Sequence, residues 1–195
     1  FAPESIEDAL HRNAGVARLL VAGFVAKFDP AVPAGERLAR VDEAMSRLSD
    51  AIDVVDSLDH DRILRSYATM IEATDRTNHF KEQPGSAGRC LALKLRPIAI
   101  PDTPAPRPRF EVFVHSPRVE GVHMRFGPIA RGGLRWSDRR DDFRTEVLGL
   151  AKAQMVKNSL IVPVGAKGGF FCKKIPDAAP HAAAVAEATE CYKLF

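Results

Sequence analysis

The run Phe110-Glu111-Val112-Phe113-Val114-His115-Ser116-Pro117-Arg118-Val119-Glu120-Gly121-Val122-His123-Met124-Arg125-Phe126 decides the fold. It predicts two strands, 110–114 and 119–126, joined by Ser116-Pro117-Arg118, a connector short enough for a hairpin. Upstream, Leu91, Leu93 and Leu95 alternate with Ala92, Lys94 and Arg96, which predicts a strand over 90–98. Between that strand and the hairpin, Pro97, Pro101, Pro104, Pro106 and Pro108 forbid regular structure. Downstream the pattern predicts a glycine-rich loop over 127–138 and a helix over about 141–159 carrying Val147, Leu150, Ala151, Gln154 and Met155. A buried strand over 160–164, a tight loop over 165–169, a strand over 170–175 and an alanine-rich helix after Pro180 follow. Strands interleaved with helices make this half α/β.

The first half reads as helices. Ser5-Ile6-Glu7-Asp8 opens like a capping box, and helical spacing through Leu10, Leu20, Phe24 and Phe28 ends at Asp29-Pro30. After Pro33, Leu38, Val41, Met45, Leu48, Ile52 and Val55 fall at steps of three and four, one apolar stripe on a helix. A third helix is expected from Asp59 to about Asn78, with Ile63, Leu64, Tyr67 and Ile71 inward. Gln83-Pro84-Gly85-Ser86 breaks the pattern and sets the expected boundary, a helical segment over 1–84 and an α/β part over 85–195.

Hydrophobic residues are 46% of the 195 and charged residues 27%, which excludes a disordered or collagen-like chain. A net charge of +3 is too small to imply nucleic acid. Cys90, Cys172 and Cys191 are too dispersed for a disulfide framework or a zinc ribbon and suit a reducing, cytoplasmic setting as small buried hydrophobes. Apolar runs fall short of the ~20 residues of a membrane helix, so no membrane partner is expected. The chain opens Phe1-Ala2-Pro3-Glu4, without a signal-peptide pattern or an initiator Met, and stops at Tyr192-Lys193-Leu194-Phe195. The expectation is a piece of a longer protein.

Charge is uneven. Residues 1–84 hold 10 basic and 15 acidic side chains, net −5, whereas 125–174 hold 11 and 4, net +7. Such a local excess focuses potential on an anion. Three pieces within it carry chemistry: Arg131-Gly132-Gly133-Leu134-Arg135, then Gln154-Met155-Val156-Lys157 on a helix, then Gly165-Ala166-Lys167-Gly168-Gly169. Paired glycines let backbone approach a ligand. Gln154 and Lys157, three apart, share a helix face and could hold a carboxylate. Lys167 sits among small residues, where a lysine that loses hydration can exchange protons with water or an amine. The third piece is no P-loop, because Gly168 follows the lysine where Ser or Thr is needed. No G-x-G-x-x-G stands between a strand and a helix, so no dinucleotide site is visible. His115 and His123 lack partners at metal-ligand spacing, and no metal is expected.

These pieces resemble the glutamate-site segment of amino-acid dehydrogenases. Gly121-Val122-His123, the run from Ala130 to Arg139, Phe143-Arg144-Thr145-Glu146-Val147-Leu148-Gly149-Leu150, the run from Lys152 to Asn158 and the run from Val162 to Phe170 together resemble the large-chain bacterial NAD-specific glutamate dehydrogenases. Phe28-Asp29-Pro30, Asp61-Arg62-Ile63-Leu64-Arg65 and Arg76-Thr77-Asn78 match more loosely. The resemblance implies a helical segment followed by an incomplete mixed-sheet α/β substrate-binding domain of the amino-acid dehydrogenase type. It implies oxidative deamination of L-glutamate to 2-oxoglutarate and ammonium, with NAD bound by a domain outside this chain, together with the catalytic aspartate. It makes Lys167 the catalytic lysine and Arg131, Gly132, Gly133, Arg135, Gln154, Lys157 and Gly168 the substrate-binding set. Arg131 stands where the small hexameric glutamate dehydrogenases have a lysine for the side-chain carboxylate, with Arg135 as the alternative holder. Val164 departs from a glycine of those enzymes. The fragment alone is expected to be inactive and the whole protein to be a homo-oligomer. Competing readings are a leucine, phenylalanine or valine dehydrogenase and a non-catalytic oligomerisation module built on the Leu38–Val55 stripe.

Overall fold

The computed structural model describes residues 1–81, 90–101, 103–129, 132–157, 165–176 and 178–195, with backbone alone at 156 and 157. The chain divides into two compact units, Phe1–Thr74 and Asp75–Phe195. The expected break at Gln83-Pro84-Gly85-Ser86 lies outside the described residues.

The first unit holds four helices: α1 (Pro3–Arg12), α2 (Ala14–Phe28), α3 (Ala34–Asp53) and α4 (Leu58–Ala73). The single first helix expected from spacing is two. Asn13 breaks it, turning its side chain back to the Ala9 carbonyl (2.9 Å) and towards His60 Nδ1 (3.2 Å), as a short amide does when it competes with the helix ladder. Val16, Leu20, Leu48, Ile52 and Leu64 form the core, so the α3 stripe is spent inside the unit. Leu38, its expected first member, is 73% exposed, and Tyr67 also faces water. Lys27 donates to the carbonyls of Ile71 and Glu72 at 2.9 and 2.8 Å, which caps α4, while Ser57 Oγ accepts from His60 N at its start. The third expected helix therefore ends at Ala73, not near Asn78.

The second unit is a six-stranded mixed sheet with helices on both faces. Its strands are β1 (Thr74–Thr77), β2 (Leu91–Leu95), β3 (Phe110–His115), β4 (Val119–Arg125), β5 (Leu134–Ser137) and β6 (Ala166–Cys172), in the order β1-β2-β3-β4-β6-β5. The β2–β3, β3–β4 and β4–β6 pairs are antiparallel, and β5 runs parallel to β6. The β3–β4 hairpin forms as its alternation predicts. Helix α5 (Phe143–Lys157) packs Phe143, Val147 and Leu148 onto Val122 and Met124. Helix α6 (His181–Leu194) packs Ala188 and Cys191 onto Val119, Phe170 and Cys172 on the opposite face.

Two expectations are corrected here. Residues 134–137, read as the end of a loop, are the edge strand β5. Residues 166–169, read as a loop, lie inside β6. Glycines weaken an isolated strand, but here their missing side chains let helices and neighbouring strands close on β6. The strand expected over 160–164 and the last two residues expected of the fifth helix lie outside the described residues.

Candidate functional site

Strand β6 is the axis of the site, and alternation sorts its side chains. Lys167 pairs with Met124 and Gly169 with Val122, both in the cluster under α5, so Lys167 stands on the α5 side. A Cβ on Gly165 would meet the Ala151 carbonyl and come 3.0 Å from Gln154 Cβ, and one on Gly169 would come 2.5 Å from Val147 Cγ2. Lys167 thus lies between two points of close contact with α5. Its half-buried amine has no hydrogen-bond or ion-pair partner among the described residues.

The paired glycines close the other flank. Gly133 is carried beside Lys167 by the Leu134–Gly168 register, and its carbonyl accepts from Gly168 N at 3.3 Å. Gly132 has φ +102°, and a Cβ there would strike the Ala166 carbonyl oxygen. Only glycine serves at that position, for both conformation and space.

Arg135 projects to the α5 side beside Gly169 and is already engaged. Its Nε lies 2.5 Å from Glu146 Oε1, and Ser137 Oγ donates to Glu146 Oε2 at 2.7 Å. Two residues earlier on α5, Arg144 grips both oxygens of Glu111, which is 2% exposed, at 2.7 Å each. These hydrogen bonds raise the Arg144 pKa above its ordinary value, against burial. Two carboxylate–guanidinium pairs thus pin the first turns of α5 to the sheet and fix where Gln154 falls.

Of the residues predicted from sequence, Gly132, Gly133, Arg135, Gln154, Lys167 and Gly168 are brought together around β6. Arg131 and the Lys157 side chain lie outside the described residues; Lys157 is the last residue of α5. Gly168 serves through backbone alone, and its N–H is used within the sheet. Glu146, Ser137 and the Glu111–Arg144 pair were not foreseen. Glu146 had one signal, being one of only four acids in the basic stretch 125–174.

The far side of β6 is apolar. Cys172 and Cys191 are buried thiols there, and burial above all pushes Cys191 up to about 12. His123, opposite Gly168, has its pKa lowered by burial and then by Arg125. Among the described residues, no group of three or more His, Cys, Asp or Glu could hold a metal ion, and no helix is long and apolar enough to cross a membrane. The segments leading from β5 into α5 and from β6 into α6 carry no glycine, so no described strand turns through a glycine-rich loop onto a helix N-terminus.

The family model described as "Bacterial NAD-glutamate dehydrogenase, catalytic domain" matches residues 47–195. The chain is 54% identical over 204 residues to an NAD-specific glutamate dehydrogenase of Mycobacterium tuberculosis, covering 100% of this chain. It is 49% identical to one of Halomonas elongata and 48% identical to one of Pseudomonas aeruginosa, each over 97% of this chain. It spans 12% of the length of each of these relatives.

Proposed function

Because the chain belongs to the bacterial NAD-glutamate dehydrogenase family, we propose that it carries the glutamate-binding part of the catalytic region in a longer enzyme. That enzyme would deaminate L-glutamate oxidatively to 2-oxoglutarate and ammonium while reducing NAD. The carrying observation is the packing of three separate sequence pieces around one half-buried lysine. Gly132-Gly133 lies against Ala166–Gly168, the Gln154 turn of α5 lies against Gly165, and Lys167 stands between them. This is the substrate domain of an amino-acid dehydrogenase, and 85–195 is its share of this chain.

In this reading Gln154 and Lys157, three apart on α5, hold the α-carboxylate. Lys167 is the catalytic residue and shuttles a proton between water and the substrate nitrogen at the α-carbon. Arg131 holds the side-chain carboxylate, and Gly132 and Gly133 shape the backbone beside it. The engagement of Arg135 with Glu146 favours Arg131 for that task, because a guanidinium paired at 2.5 Å has much of its charge answered. NAD and the catalytic aspartate belong to residues outside this chain, which by itself is inactive. The complete enzyme is a cytoplasmic homo-oligomer.

Site-directed kinetics on the complete enzyme test this. Lys167→Ala should cut kcat by roughly 10²-fold or more, the loss expected for acid–base work. Lys157→Ala should mainly raise KM for glutamate. A folded Lys167→Ala enzyme with near-parental kcat would refute the assignment.

A further inference from the structure

On the sheet face turned away from α5, three cations from three segments converge on one aromatic ring. Lys94 Nζ of β2 lies 4.4 Å from the Phe110 ring centroid, Arg125 Cζ of β4 at 4.6 Å and Arg109 Cζ at 5.4 Å. The register enforces this. Phe110 stands opposite Arg125, and Lys94 stands opposite Val112, two residues along β3, so all three side chains rise on one face. The intervening Glu111 points the other way, to Arg144 on α5.

Several cations of the unit are answered by acids, although among the described residues Lys167 is not. Arg96, Arg118, Arg135, Arg139, Arg144 and Lys173 each pair with a carboxylate. Among the described residues, no carboxylate pairs with Lys94, Arg109 or Arg125. The cluster is also preset, because Arg125 donates to the Pro128 carbonyl at 3.1 Å and Arg109 N donates to the Arg125 carbonyl at 2.8 Å. The ring's negative face draws each cation in, yet three like charges gathered at one ring repel one another. A multiply charged oxyanion would relieve that repulsion. Two guanidiniums favour tetrahedral phosphate oxygens, which they bind bidentately, and the ammonium adds a point charge.

We propose that Lys94, Arg109 and Arg125 form a site for a pyrophosphate group, with Phe110 as the spacer that preorganises them. The site is separate from the glutamate reading, because Lys167 occupies the opposite face. Calorimetric titration of the chain at low salt with inorganic pyrophosphate and with ADP tests it. At least one should bind saturably at one site, and its affinity should fall as salt rises. Tighter binding of ADP would assign the site to a nucleotide diphosphate, and tighter binding of pyrophosphate to the inorganic ion. Lys94→Gln and Arg125→Gln should each weaken binding about tenfold. Arg125→Lys, which keeps the charge and loses the bidentate fork, should bind more weakly than the parent and more tightly than Arg125→Gln, and Lys193→Gln, on α6, should leave binding unchanged. Native Trp136 fluorescence in each variant establishes folding. Absence of saturable binding by both probes, or unchanged affinity in a folded Lys94→Gln/Arg125→Gln double variant, overturns the proposal.

Discussion

Replacing Arg144 with methionine should strip the partner from a buried carboxylate and loosen α5 from the sheet. Glu111 is 2% exposed and both its oxygens lie 2.7 Å from Arg144 nitrogens. Breaking a buried pair by removing one partner costs about 3–5 kcal/mol, because the remaining charge stays desolvated. The Arg144 side chain is 42% exposed, so water can follow into the vacated space and the lower end of that range applies. A loss of about 3 kcal/mol in a chain of this size lowers the melting midpoint by roughly 6–12 °C. Trp136 is the only tryptophan and lies on β5 of the same unit, so its fluorescence follows this unfolding in a denaturant or thermal melt. A Glu111→Leu/Arg144→Met double variant removes both charges and should recover most of the loss. Arg144→Met within about 0.5 kcal/mol of the parent, or a double variant no more stable than the single one, would refute the claim that this pair anchors α5.

Gly132→Ala should cost roughly 1–3 kcal/mol, because φ is +102° and the new Cβ meets the Ala166 carbonyl; an unchanged melt would contradict this. Cys191, pushed up to about 12 chiefly by burial, should hold on the order of 10⁻⁴ thiolate near pH 8. Mass spectrometry should then find it unlabelled by iodoacetamide in the native chain and labelled after unfolding, and rapid native labelling would sink the idea. Glu187 on α6 has its pKa held below the ordinary 4.5 by Arg118, which it meets at 2.6 Å. The unfolded chain therefore takes up the proton first as pH falls, so this contribution is whole above 4.5 and is lost as pH drops through the depressed folded value. Denaturation midpoints across the acid range should decline less steeply in Glu187→Gln, and identical slopes would count against the pairing.

The parts of this protein legible in its sequence are those whose signal is local. Alternation in 110–126 marked the β3–β4 hairpin because a two-residue period and a short connector specify it without reference to the rest of the chain. The stripe through Met45, Leu48 and Ile52 likewise marked α3, although the exposure of Leu38 shows that a stripe can outrun the surface that covers it. Asn13 escaped notice because its break depends on a meeting with His60, 47 residues away. For the candidate site, residue types in the glycine-lysine segments pointed to a carboxylate before any geometry was known. Ser137 and Arg144 carried no such mark, and Glu146 only that of an acid in a basic stretch. Each acts through a partner on another element, and spacing along one chain does not encode that.

What the sequence alone determined was therefore chemistry and class: a helical lead-in, an α/β second half, and a basic, glycine-punctuated stretch suited to a carboxylate. The tertiary structure decided that Lys167 lies in a strand and not in a loop, that Leu134–Ser137 closes the sheet edge, and that Arg135 answers to Glu146. The physical reason is that a glycine-rich run has little preference of its own. Parallel pairing of β5 with β6, and the close approach of α5 to Gly165 and Gly169, are non-local contacts that choose its conformation only when the sheet assembles.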